Sequence, residues 1–267
     1  MNMIVKVAAA QTADNGDYRV NLAKAEKYIT EAAEQGASLI LFPEAFMSVY
    51  PRGTDAATRL AASQTLDGPF AAGMSALAKQ HKIWTVFGMN EPADENHNYN
   101  TTVIFNDNGE FVSKYRKTHL FDAFSYRESD HTLPGDHLFE AIDTPFGRLG
   151  LLVCYELRFP EIARYETLDQ KADILLVLAA WNRGPKKAEQ MRMFIQTRAA
   201  ENNVFAVLSD MCGEICEGKS CVVDPFGTII KELGEEEGLL VAELDMDYLA
   251  DVRRRIPALG HRRPELY

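Results

Sequence analysis

Three polar residues stand where apolar runs stop. Glu44 follows the run 38–42 and Pro43, Lys117 closes the stretch after 111–115, and Cys154 ends the run 149–153. A carboxylate, an ammonium and a thiol form a set capable of acyl transfer. A thiol with a pKa near 8.5 is mostly protonated at neutral pH, so as a nucleophile it needs a base beside it. A cation next to the attacked carbonyl stabilises the oxyanion that attack creates. Strand ends are where side chains of layered α/β proteins converge on a crevice. Singly, each residue has a plainer reading. Glu44 is a solvated loop charge, Lys117 a member of the basic run Lys114-Tyr115-Arg116-Lys117, and Cys154 a small core hydrophobe.

These residues need elements to hold them. Residues 4–10 read as an apolar strand. Leu22, Ala25, Ile29 and Ala32 recur at helical spacing within 21–35, and Gly36 sits where a C-terminal cap belongs. A strand over 38–42, a helix over 70–81 and a strand over 83–89 follow. Strands 101–105 and 111–115 flank Asn106-Asp107-Asn108-Gly109, a hairpin signal because Asn, Asp and Gly tolerate positive φ. Strands are expected at 149–153, 174–178, 204–208, 220–223 and 239–244. A helix is expected over 185–201, opening on Pro185, a favoured first-turn residue. Short strands interleaved with helices, with one antiparallel hairpin, read as a layered α/β or α+β protein. No linker interrupts the pattern, so a single domain over 1–267 is expected.

Composition narrows the function. The chain has 267 residues, 46% hydrophobic, with 28 Lys and Arg against 39 Asp and Glu and a net charge of −11. Such an acidic chain is poorly suited to hold nucleic acid or an anionic membrane through its overall field. No apolar run approaches the roughly 18 residues of a membrane span, and the N-terminal stretch lacks the features of a signal peptide, so a cytoplasmic location is expected. Cys212, Cys216 and Cys221 form C-x3-C-x4-C, which matches no standard zinc spacing, and no metal is expected. Nor is there a glycine-rich phosphate loop, and no cofactor is expected. The basic cluster Arg253, Arg254, Arg255, Arg262 and Arg263 reads as pairing with carboxylates of this chain or of a partner subunit.

Beyond these single readings, three segments together carry a resemblance. Leu41-Phe42-Pro43-Glu44, Tyr115-Arg116-Lys117-Thr118-His119-Leu120-Phe121-Asp122 and Cys154-Tyr155-Glu156-Leu157-Arg158-Phe159-Pro160-Glu161 resemble the nitrilase superfamily of carbon–nitrogen hydrolases, in its order and approximate spacing. The likeness continues through Arg198-Ala199-Ala200-Glu201-Asn202, Gly218-Lys219-Ser220 and Asp224-Pro225-Phe226-Gly227 to Arg262-Arg263-Pro264, and so covers nearly the whole chain.

The resemblance implies an α+β fold, a four-layer α-β-β-α sandwich with mixed sheets, in a homodimer or higher homo-oligomer whose C-terminal tail crosses to the partner. It also implies a Glu44–Lys117–Cys154 triad. Cys154 would attack an amide carbonyl, with Glu44 as base, then acid to the departing nitrogen, then base for water. Lys117, with a backbone N–H of Tyr155, would hold the oxyanion. Glu128, in Arg127-Glu128-Ser129, resembles a second carboxylate of the family, which implies a role in orienting Lys117 or the substrate nitrogen and in keeping Lys117 charged. His119, two residues past Lys117, reads as structural rather than as a papain-like base.

Tyr155-Glu156 after the cysteine resembles the amidase branch that contains omega-amidase and deaminated-glutathione amidase. Ala179-Ala180-Trp181-Asn182-Arg183-Gly184 is closer to aliphatic amidases. The expected function is hydrolysis of a small linear, aliphatic amide by water through a Cys154 thioester. N-carbamoyl hydrolysis, omega-amidase or deaminated-glutathione amidase activity, or a catalytically weak scaffold, are the alternatives. Tyr155 and Trp181 are expected to line the substrate pocket, and Arg158 or Arg183 are candidate readers of a substrate carboxylate.

Overall fold

The structure is a computed structural model describing residues 3–13, 15–50 and 53–266. Met1 and Asn2, where the N-terminal stretch begins, lie outside the described residues. The first half of the chain supplies β1 (Ile4–Gln11), β2 (Leu39–Leu41), β3 (Trp84–Pro92), β4 (Asn98–Phe105) and β5 (Phe111–Arg116). A two-residue pair follows, β6 (Asp122–Ala123) and β7 (Tyr126–Arg127). The second half supplies β8 (Ile142–Thr144), β9 (Gly147–Val153), β10 (Ile174–Ala179), β11 (Phe205–Asp210), β12 (Cys221–Val223), β13 (Ile229–Glu232) and β14 (Gly238–Asp245). The helices are α1 (Tyr18–Glu34), α2 (Ala56–Ala61), α3 (Pro69–His81), α4 (Pro160–Arg164), α5 (Lys187–Asn202) and α6 (Met246–Arg255).

Two six-stranded mixed sheets form, ordered β14-β1-β2-β3-β4-β5 and β13-β12-β11-β10-β9-β8. Alternation along β1 and β2 explains how they stack. Val5, Val7, Ala9, Leu39 and Leu41 face the second sheet, in a core shared with Leu151, Val153, Leu176 and Leu208. Ala8, Ala10, Ile40 and Phe42 point the other way, onto Ala25, Ile29 and Ala32 of α1 and Phe70, Met74 and Ala78 of α3. Strands apolar on both faces are what a sheet covered on both sides requires. Beyond the second sheet lie α4 and α5, through Ile162, Ala163, Met191, Ile195 and Ala199. The layers therefore run helix, sheet, sheet, helix, as an α+β sandwich.

Gly36 caps α1 at φ +77°, and the hairpin turn has Gly109 at φ +75°. Several boundaries differ from expectation: α1 begins at Tyr18, β3 runs on to Pro92 and β4 begins at Asn98. Helix α5 starts at Lys187, not Pro185, because Lys186 adopts φ +60° and breaks the helical path. Among the described residues no helix is long and apolar enough to cross a membrane.

Candidate active site

Glu44, Lys117, Glu128, Cys154, Tyr155 and Trp181 all line one cavity, of about 140 Å³. Glu44 is two positions past Phe42, in a turn that carries Ala45 at φ +49°. This turn lies flat on β3 because residue 88 is glycine: a Cβ there would fall 2.3 Å from the Ala45 nitrogen. Lys117 is the first residue after β5, and its segment is pinned on both sides. Its own N–H donates to Asn100 O at 2.9 Å, and Gly135 N–H donates to its carbonyl at 2.9 Å. Glu128 opens a 3-10 turn directly after β7.

The Lys117 ammonium is 2% exposed and lies between two carboxylates, 2.9 Å from Glu44 Oε1 and 2.8 Å from Glu128 Oε2. A buried cation costs several kcal/mol unless it is compensated. Burial is the largest influence on Lys117 and pulls its pKa down, but Glu128 and Glu44 together outweigh it and hold the group well above the ordinary lysine value. The ammonium is therefore permanently charged. Glu44 Oε2 accepts from Ala180 N–H at 2.9 Å, and Glu128 Oε2 also accepts from Phe121 N–H at 2.7 Å. Both carboxylates are held rigidly.

Cys154 stands where β9 turns into a 3-10 helix over Cys154–Arg158, with φ +47°. A non-glycine residue there carries roughly 1–3 kcal/mol of strain, and the sharp turn presents the side chain to the crevice. Burial, then the negative charge of Glu44, push the thiol well above its usual range, while Lys117 and Ala180 N–H pull partly back. The resting group is a protonated thiol, and its activation requires a base.

Glu156 braces the elbow. It is fully buried, and its Oε2 accepts from Val153 N–H at 2.8 Å. Its Oε1 accepts from the Tyr115 hydroxyl at 2.7 Å and from Thr118 N–H at 3.0 Å. One carboxylate thereby ties the strand carrying Cys154 to the segment carrying Lys117. Burial alone would raise its pKa, yet donors from His119, Tyr115, Val153 and Thr118 outweigh it and keep the group ionised.

Asn100, in mid-β4, gave no signal in the sequence. Its Nδ2 donates to Glu44 Oε1 at 2.8 Å and to Glu128 Oε1 at 3.1 Å, and so bridges the two carboxylates across the ammonium. Asp210, at the end of β11, accepts from Trp181 N–H at 2.8 Å. Trp181 lines the cavity and is fixed further by its indole N–H, 3.0 Å from Lys187 O.

Other expected residues sort themselves. Arg158 lines the cavity. Arg183 does not; it pairs with Glu235 at 2.9 Å on the surface. His119 lies beside Thr118 Oγ1 at 2.9 Å with its ring against Phe159. Arg253 of the basic cluster pairs with Asp173 at 2.6 Å, while Arg254 and Arg255 pair with Asp251. Among the described residues, no three His, Cys, Asp or Glu side chains are grouped to hold a metal.

Comparison with known proteins agrees with this architecture. The family profile described as carbon-nitrogen hydrolase matches residues 6–254. Deaminated glutathione amidase of Bos taurus is 35% identical over 98% of this chain and 83% of its own length. The C. elegans NitFhit protein superimposes with a TM-score of 0.92 at 28% identity over all of this chain, which spans 66% of that protein. A mutant of the amidase from Nesterenkonia sp. AN1, carrying the result of Michael addition of acrylamide at its active site cysteine, superimposes with a TM-score of 0.77. It is 27% identical over 95% of this chain and 98% of its own. With a family match across nearly its whole length, the chain belongs to the carbon–nitrogen hydrolases of the nitrilase superfamily.

Proposed function

We propose that the protein is a thiol amidase in which Glu44, Lys117 and Cys154 carry the reaction and Glu128 holds Lys117 in place. The carrying observation is the Lys117 ammonium locked between Glu44 and Glu128 in the same cavity as the strained Cys154. Glu44 takes the thiol proton as Cys154 Sγ forms its bond to the amide carbonyl carbon. The oxygen becomes an oxyanion, and the permanently charged Lys117 stabilises it; a donor of this kind is typically worth about 3 kcal/mol of barrier. Glu44 then gives its proton to the nitrogen as the C–N bond breaks, ammonia leaves, and a thioester remains. Water, losing a proton to Glu44, attacks the thioester. The acid departs and Cys154 recovers its proton.

No water-polarising metal is required by this sequence of steps, since proton transfers run through one carboxyl and charge is met by one ammonium. The small cavity that Tyr155 and Trp181 help to line suits a short, linear acyl chain. The likeness to deaminated glutathione amidase favours a second reading of the substrate, deaminated glutathione rather than a plain aliphatic amide.

Ammonia release from a panel tests the proposal: short aliphatic amides, dicarboxylate monoamides, keto-acid amides and N-carbamoyl compounds, with Cys154→Ala as control. Release from amides, absent in the control, is expected. Release confined to carbamoyl compounds, or persisting in Cys154→Ala, would overturn it.

A further inference from the structure

The wall that β3 and β4 give to the cavity breaks with the rest of those strands. Trp84 and Val86 of β3 and Ile104 of β4 pack in the core between the two sheets. Side chains alternate faces along a strand, and directly opposed residues share a face. Asn90 stands opposite Asn100 in the β3–β4 ladder, and Asn98 lies two residues before Asn100. The three asparagines therefore continue the face that Trp84, Val86 and Ile104 begin. Asparagine is depleted in strands, and packing between two apolar sheets would call for hydrophobic side chains here. Instead the face ends in a polar floor. All three asparagines line the catalytic cavity, as do Ser48 and Thr132. A local rule broken at such a place marks function.

This floor carries more hydrogen-bonding groups than the protein itself satisfies. Asn98 is 5% exposed. Among the described residues its amide has one side-chain partner, Thr132 Oγ1, which donates to Asn98 Oδ1 at 3.2 Å. The nitrogen end is left without one, and turning the amide over would only leave the oxygen end instead. Asn90 Nδ2 donates to Ser48 O at 2.8 Å and to Ser48 Oγ at 3.1 Å, while its own Oδ1 accepts from no described residue. Burying an amide group without a partner is costly. Such groups, where they face a cavity, hold ordered water. A cavity of about 140 Å³ has room for it, since one water takes up about 30 Å³ of liquid volume. Glu44 joins the floor to the opposite wall: its Oε1 accepts from Asn100 Nδ2, and its Oε2 from the Ala180 N–H next to Trp181.

We propose that Asn98 is a positioning residue for the second half of the reaction: with Asn90 and Ser48 it holds water beside Glu44, and the molecule that attacks the Cys154 thioester is drawn from that water. In that step the water oxygen bonds to the acyl carbon, the C–S bond breaks, one water proton passes through Glu44 to the sulfur, and the acid leaves. Formation of the thioester consumes no water, so the amide floor acts on its hydrolysis alone. This inference rests on the thiol amidase reading for the thioester and adds the residues that supply its water.

The test separates the two halves with p-nitrophenyl acetate and enzyme in excess, in the unaltered protein, Asn98→Leu and Asn98→Ser. Release of p-nitrophenolate reports acylation. Acid quench at intervals, followed by mass spectrometry of the Cys154 peptide, reports loss of the acetyl group. Asn98→Leu keeps the size of the side chain and removes its polar ends. It should slow loss of the acetyl group by on the order of tenfold to a hundredfold and leave p-nitrophenolate release unchanged. Asn98→Ser, short and polar, should recover part of the loss. Hydroxylamine brings its own nucleophile, and in its presence the acetyl group should leave the unaltered and leucine proteins at similar rates. Asn98→Ala, which cannot clash, takes the place of the leucine variant if that one does not fold. Equal hydrolysis of the acetyl-enzyme in the unaltered and altered proteins overturns the proposal, and so does an equal slowing of both halves, which would mark general damage to the site. If Cys154 is acetylated but no amide is turned over, the amidase reading fails while the decay of the acetyl-enzyme still decides the role of Asn98. If Cys154 takes up no acetyl group, both fall.

Discussion

Replacing Asn100 by alanine removes one donor from two buried carboxylates, and the structure says where the damage falls. Glu44 Oε1 keeps Lys117 at 2.9 Å, and Glu44 Oε2 keeps Ala180 N–H. Glu128 Oε2 keeps both Lys117 and Phe121 N–H. Glu128 Oε1, by contrast, has Asn100 as its hydrogen-bond donor at 3.1 Å, and loses it in a residue that is 7% exposed. The amide of Asn100 has one sensible orientation, since a flipped one would aim its oxygen at two carboxylates. A hydrogen bond to a charged group contributes about 1.5–3 kcal/mol, and a buried acceptor left empty costs about as much again unless water enters. One such loss at Glu128 and a partial one at Glu44 give an expected destabilisation of about 2–4 kcal/mol. Urea unfolding followed by circular dichroism reads it. Freed to rotate, Glu44 should also lose its aim, lowering kcat by roughly tenfold to a hundredfold at little cost in KM. Asn100→Asp, which adds a third negative charge, should be worse on both counts. Stability within about 0.5 kcal/mol of the unaltered protein, together with unchanged kcat, would refute the bridging role.

Other perturbations carry definite signs. Gly88→Ala forces a Cβ to 2.3 Å from the Ala45 nitrogen and 2.8 Å from the Glu44 carbonyl carbon, so it should displace Glu44 and abolish turnover, read as activity per mole of folded protein. Glu44→Gln removes the negative charge that, after burial, raises the Cys154 thiol, so thiolate absorbance should titrate at lower pH even though turnover is lost; a shift upward would contradict the electrostatic account. Glu166 is buried, and among the described residues neither of its carboxyl oxygens has a well-formed hydrogen bond; burial raises it from 4.5 to about 9. The folded protein therefore binds its proton more tightly than the unfolded chain, and stability falls as pH rises from 4.5 to about 9. Glu166→Gln should then stabilise the protein at about pH 8, by up to roughly 5 kcal/mol, with little gain at about pH 4, as measured by unfolding at the two pH values.

The elements around the site were legible where local pattern and tertiary role coincide. The runs ending at Glu44 and Cys154 are apolar where a second layer covers them, and an abrupt change to a charged or thiol side chain marks the end of cover, whereas Lys117 follows an edge strand in which Tyr115 alone is buried. Gly36 and Gly109 announced the end of α1 and the hairpin because only a positive φ closes those turns. What stayed hidden depends on partners far away in the chain. The pairing of β1 with β14, Ile4 opposite Asp245, joins opposite ends of the sequence and has no local signature. Asn100 sits inside an alternating strand and takes its role from Glu44 and Glu128, 56 and 28 residues away. Helix α2 buries no residue and so offers no amphipathic stripe to read. Lys187 was obscured by Pro185, whose first-turn preference suggested an earlier start to α5 than Lys186 allows.

The central claim is that Cys154 forms a covalent acyl intermediate, and mass spectrometry of the acid-quenched enzyme during turnover tests it most directly. The expected result is a peptide containing Cys154 that is heavier by the acyl group of the amide supplied, that loses this mass with hydroxylamine as a thioester does, and that is missing in Lys117→Met quenched at the same time. Steady ammonia release with an unmodified Cys154 peptide, and equal release from Cys154→Ala, would contradict it.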